Sequence, residues 1–291
     1  MNEELSEILI QSAKNGNFET LLQIKELSRN GSVQATAILQ ELCCLENGEC
    51  IRNGTMILPD GRLIISDQEF QNRTDLVNVI FPDNLQQIGK MAFDSCFNLE
   101  RVIFPDTLQN IGDWAFFNCE KITDISFPLS LRSIGEETFK CCESLTTLEL
   151  PNNLQNIGKQ AFNECTALVS VNLPDNIQTI EDETFANCNS LSEVVLKEGL
   201  LSIKRSAFRG CSALTEIVLP NTLTNIGSGV FLNCNELIEI VLPDSLISIG
   251  NRTFNGCTGL KKITYSRKME PRLKEIFGGD WYSLEKIVRD A

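Results

Sequence analysis

Ser212-Ala213-Leu214-Thr215-Glu216-Ile217-Val218-Leu219-Pro220 decides the fold. Leu223, Ile226-Gly227, Phe231 and Cys234 complete the unit, and a step of 23 residues in either direction brings the same skeleton back. Proline stands at 59, 82, 105, 128, 151, 174, 220 and 243, with Lys197 in the one slot it vacates. Isoleucine fills every slot from Ile65 to Ile249, and phenylalanine every slot from Phe70 to Phe254. Cysteine fills 96, 119, 142, 165, 188, 211, 234 and 257, while its first slot holds Arg73. Columns inside one chain report geometry directly: each coil reuses the same backbone path.

The unit can be read physically. Leu214, Ile217 and Leu219 end in the two-residue period of a strand with one buried face. Pro220 ends the strand, because it has no N–H for a ladder. Leu223 and Ile226 turn back inward, Gly227 suits a bend, and Ser228–Asn233 reads as one turn of helix that drops Phe231 into the core. A single coil cannot bury its own apolar residues; a stack of coils buries a continuous core. With adjacent strands about 4.8 Å apart, nine coils make an array roughly 40 Å long.

The spacing L-x-x-I-x-L-P-x-x-L-x-x-I-G-x-x-x-F-x-x-C resembles the BspA-like class of leucine-rich repeats, over about residues 56–265. Arg62, Arg73, Glu181 and Lys204 depart from it locally. The resemblance implies an α/β repeat solenoid, a curved right-handed superhelix with a parallel concave β-sheet. It also implies a binding role, often in surface proteins of bacteria and protozoa.

The flanks lack the repeat. Leu5, Ile8 and Leu9, then Phe18, Leu21 and Leu22, then Val33, Ala37, Ile38 and Leu42 give three short helical faces within residues 1–50. These are expected as an N-terminal helical cap, or as a separate helical module that binds partners. Cys50–Met56 reads as a hairpin around Asn53-Gly54. After Tyr265 the pattern is expected to stop. Residues 266–291 then form a C-terminal cap of two short amphipathic helices around Gly278-Gly279. Three segments follow: 1–50, the solenoid 51–265, and 266–291.

Charge and composition narrow the function. The net charge of −14 disfavours nucleic acid and anionic lipid as partners. No apolar run reaches the roughly 18 residues of a membrane span. The start, Met1-Asn2-Glu3-Glu4-Leu5, lacks the basic and apolar regions of a leader, so a cytoplasmic location is expected; the alternative is a cell-surface or secreted chain whose leader was removed. Histidine is absent, which removes the usual nucleophile–base pairs and the commonest metal ligand. The stacked cysteines read as small buried side chains and free thiols, consistent with a reducing compartment. Cys43, Cys44 and Cys50 are too loosely grouped for zinc, and the acids after each proline suit turns better than calcium. No cofactor, metal, small-molecule substrate or catalytic residue is expected.

What remains are the letters the repeat leaves free. On the strands, Glu193, Glu216 and Glu239 should stack in one outward column, beside Val195, Val218 and Val241, with Ile238 adjacent. Like charges on neighbouring strands cost a few tenths to about 1 kcal/mol each, and the fold does not require them. An apolar stripe edged with carboxylates fits a basic, partly apolar protein or peptide. The expected function is therefore a non-catalytic protein-interaction module using its concave face. The alternative is a secreted or surface adhesin of the same architecture that binds host matrix protein.

Overall fold

A computed structural model describes residues 7–43 and 50–289. Three helices come first: α1 (Glu7–Lys14), α2 (Phe18–Arg29) and α3 (Val33–Cys43). Asn17 caps α2 by accepting from the Thr20 amide at 2.9 Å, as expected of a short polar side chain at a helix start. A hairpin of β1 (Cys50–Arg52) and β2 (Thr55–Ile57) follows, antiparallel, with Asn53 and Gly54 both at positive φ in its turn. From β2 onward the pairing is parallel, as crossover coils require.

Each coil supplies two short strands. The longer ones, such as Asn78–Ile80 and Arg101–Ile103, pair in register across one sheet. The shorter ones, such as Gln87–Ile88 and Asn110–Ile111, build a second ladder along the side. The segment expected as a turn of helix is instead a run of turns, and no α-helix interrupts the coils among the described residues between 50 and 266. Two residues per coil there take positive φ, for example Trp114 and Asn118. That alternation aims successive amides at the next coil: Met91, Phe93 and Ser95 donate to the carbonyls of Asp113, Ala115 and Phe117 at 2.7–2.9 Å. A third coil-to-coil ladder thus replaces the helix and offsets the cost of left-handed backbone at non-glycine residues.

The core is one continuous cluster running the length of the stack. Its spine is the phenylalanine column, rings stacked nearly parallel from Phe93 onward at 5.2–6.0 Å between centroids. Beside it, each column cysteine donates its S–H to the carbonyl of the phenylalanine one coil back, as Cys96 does to Phe70 and Cys211 to Phe185, both at 3.2 Å. The thiol thus fills a small buried space and satisfies a buried acceptor. Burial pushes these thiols well up, to about 12 at Cys96 and Cys188.

The expectation that the pattern stops at Tyr265 is corrected. Only one α-helix, α4 (Glu270–Phe277), follows, and it carries Phe277 into the ring column against Phe254 at 5.2 Å. A 3-10 segment, Gly278–Ser283, leads not to a second amphipathic helix but to strand Glu285–Arg289, which pairs in parallel with Lys262–Ser266. Lys262 faces Glu285, 23 residues on, so the coil period persists where its letters have faded.

Both ladders have a gap. The side ladder stops at Asn156–Ile157 and restarts at Thr179–Ile180. The next residue is Glu181, where neighbouring coils have glycine. A Cβ built on Gly158 would lie 2.4 Å from backbone of the preceding coil, so a side chain at this slot forces coils apart. The main sheet is paired through Glu193–Val195 and resumes at Glu239–Val241; Glu216-Ile217-Val218 lies between them without ladder pairing. This second gap coincides with Lys197, the one missing proline.

Candidate functional site: the outward columns of the main sheet

The strand alternation puts two columns on the outward face and one in the core. Val194, Ile217 and Ile240 point inward and are buried. Glu193, Glu216 and Glu239 are exposed, and so are Val195 (37%), Val218 (80%), Val241 (45%) and Ile238 (50%). All seven expected residues therefore lie together on the outward face. Their surroundings are not equivalent. Glu239 contacts Lys262 at 3.2 Å, whereas Glu193 and Glu216 form no ion pair among the described residues. Val218 stands in the gap of the sheet, which accounts for its greater exposure. A shallow cleft lined by Thr147, Glu149, Ser170, Asn172, Glu193 and Val195 leads into the stripe.

Sequence reasoning missed what happens at the other end of the same columns. Ile57 and Ile80, in the same column as Val195, are only 3% exposed. They belong to a second apolar cluster with Phe18, Leu21, Ile24, Ile38 and Leu42. The N-terminal helices thus rest on the outward face of the first coils, while β1 takes the sheet edge. Polar contacts fix the pose. Lys25, almost fully buried, donates to the Phe81 carbonyl and lies 3.0 Å from Asp83 and 3.7 Å from Asp60. Arg29 grips Asp83 through two nitrogens at 2.6 and 2.7 Å. At the other end of α2, Glu19 pairs with Arg101, whose guanidinium also lies over the Phe18 ring. Burial would raise the Asp83 carboxyl, but Arg29 and Lys25 outweigh it and hold the group below the ordinary carboxylate value. The only signal in the sequence was the apolar Ile57 and Ile80 on a face otherwise open to water.

The acids that follow the prolines have structural partners. Asp60 accepts from the amide of Asp83 at 3.2 Å, and Glu198 from that of Asn221 at 3.2 Å. Among the described residues no group of three or more acidic or cysteine side chains could hold a metal ion, and no helix is long and apolar enough to cross a membrane. The group Cys43, Cys44 and Cys50 lies outside the side chains described.

The model of the BspA-type leucine-rich repeat region matches residues 63–192 and 178–288. This chain belongs to that family. The match runs past Tyr265 and agrees with the extra coil. A leucine-rich repeat protein of Bacteroides ovatus is 27% identical, with a TM-score of 0.63 over 82% of this chain and 74% of that one. The T. pallidum leucine-rich repeat protein is 32% identical, with a TM-score of 0.52 over 64% of this chain and 78% of the other. The pneumococcal vaccine antigen PcpA, 24% identical with a TM-score of 0.50 over 76% of this chain and 64% of its own, shares the fold. No curated protein matches the sequence. Family membership points to a protein-interaction or adhesin-type role, on a solenoid that is typically non-enzymatic.

Proposed function

We propose that the protein is a non-catalytic interaction module that binds a protein or peptide through Val195, Val218, Val241 and Ile238, with Glu193, Glu216 and Glu239 selecting a basic partner. The observation that carries this is the contrast within one column. Where Ile57 and Ile80 are apolar, a partner covers them; where Val195, Val218 and Val241 are apolar, they stand open. A preformed stack loses little backbone entropy on binding, so a modest contact area suffices. The buried, protonated thiol column supports a reducing, cytoplasmic setting.

The test compares cross-linked captures from native lysate by the wild-type chain and by a triple Glu193→Lys, Glu216→Lys, Glu239→Lys variant. Proteins held by the wild type, cross-linked beside the stripe and lost from the variant support the reading. An unchanged set of captured proteins overturns it.

A further inference from the structure

The docking site of α2 recurs, in altered form, six coils along the same sheet. Ile57 and Ile80 become Val195 and Val218; Asp60, which faces the Lys25 ammonium, becomes Glu198; Arg101, which pairs with Glu19, becomes Glu239. In between, Ser126, Glu149 and Asn172 interrupt the apolar column, so the second site is a separate patch. The first site shows what such a patch holds. It holds an amphipathic helix that presents Phe18, Leu21 and Ile24 to the apolar column and pins its two ends with charge.

We propose that Val195 and Val218 seat an amphipathic α-helix of a partner protein, basic at both ends of its apolar face. This rests on the protein-binding reading above and specifies the partner's chemistry. The cation at the Lys25 position is kept, because Glu198 keeps the acid. The residue at the Glu19 position changes sign, because arginine has become Glu239 and the neighbouring Glu216 has no ion pair. Glu239 is shared with Lys262, so Glu216 is the carboxylate a partner reaches at least cost. The same charges exclude a second copy of this chain as the occupant: its α2 would bring Glu19 against Glu239. Val218 adds reach, since the gap in the sheet leaves it the most exposed member of its column.

A probe can be made from the chain itself. A peptide of residues 17–30 carrying Glu19→Lys, stapled on its outer face because so short a helix is marginal in water, is titrated into the full-length protein. Amide chemical shifts are followed to about 1 mM peptide, the weak end of measurable affinity. Shifts centred on residues 193–241 are expected. Binding should be about fivefold weaker for the unsubstituted stapled peptide, the scale of an exposed charge pair reversed. It should be abolished by Val218→Asp in the protein. A Glu216→Lys, Glu239→Lys protein should reverse the preference and favour the Glu19 peptide. No shifts up to that concentration, shifts confined to residues 55–103, or binding indifferent to Val218→Asp would each overturn the inference. If natural partners are lost on charge reversal while the probe fails, the interaction module stands and the helical partner does not. If both fail, the stripe itself is excluded.

Discussion

The first and the eighth coils present the same two outward columns, yet one pair is core and the other is surface. Ile57 and Ile80 lie under α2, while Val195 and Val218 face water. Backbone, side-chain class and register are equivalent; only the occupant differs. The outward face of this sheet is therefore a surface on which apolar letters mark a contact, either made within the chain or left for another.

The sharpest way to break the comparison is to place one charge in each half. Ile80→Glu buries a carboxylate under α2 without a partner and should cost about 3–5 kcal/mol. Hydrogen exchange should show residues 7–43 losing protection while the coils keep theirs. Val218→Glu should stay within about 0.5 kcal/mol of wild type. Comparable losses at both positions would show that the two sites are not alternatives of occupancy.

The two regions should also part at opposite ends of the pH scale. The column thiols are raised by burial from an ordinary 9.0, to about 12 at Cys96, Cys188 and Cys257. Their contribution is fully present below the unfolded value and is lost as pH rises from there through the folded values. Each should add a slope of about 1.4 kcal/mol per pH unit. Tryptophan fluorescence, reporting Trp114 and Trp281 in the coils, should follow a steep alkaline transition, and the thiols should resist alkylation at neutral pH until denaturant is added.

Acid should act first on the helices. Asp83 is depressed below an ordinary 3.8, so its stabilisation is present above that value and is lost as pH falls through the folded one. Residues 7–43 should become protease-sensitive before the coils unfold, and Asp83→Asn should bring that loosening to neutral pH, at a cost of about 1–3 kcal/mol.

The smallest effect belongs to the open stripe. Glu216→Lys relieves the like-charge column and should leave thermal stability equal or raise it by up to about 1 kcal/mol. A loss would mean that Glu216 serves the fold and is not free for a partner.

Most of the coil was legible because its letters repeat. Ile226, Phe231 and Cys234 take one position each, and inward placement of Ile217 follows from strand alternation. The back of the coil was misread as helical because the positive φ at residues such as Trp114 and Glu137 carries no glycine to announce it. The last coil was missed because Arg272 stands where isoleucine recurs, while Phe277 kept its place. Two departures noted as harmless, Glu181 and Lys197, turned out to mark the gaps in the two ladders. The outward stripe was legible as a set of neighbours. That Ile57 and Ile80 already had an occupant was not, since contacts between distant segments leave no local period.

One further consequence lies in the spacing of the rings. Where Phe81, Phe104 and Phe127 supply a second aromatic column beside the first, the back rings from Phe70 to Phe139 sit 5.1–5.3 Å apart. Where leucine takes that slot, from Leu150 onward, the interval between rings Phe139 and Phe254 opens to 5.6–6.0 Å. Strands remain about 4.8 Å apart throughout. The stack therefore behaves like a beam whose inner flange is stiffened over its first half only. Bending is concentrated in the half that carries Val195 and Val218, and one letter per coil, phenylalanine or leucine before the proline, sets the radius of the surface that a partner meets.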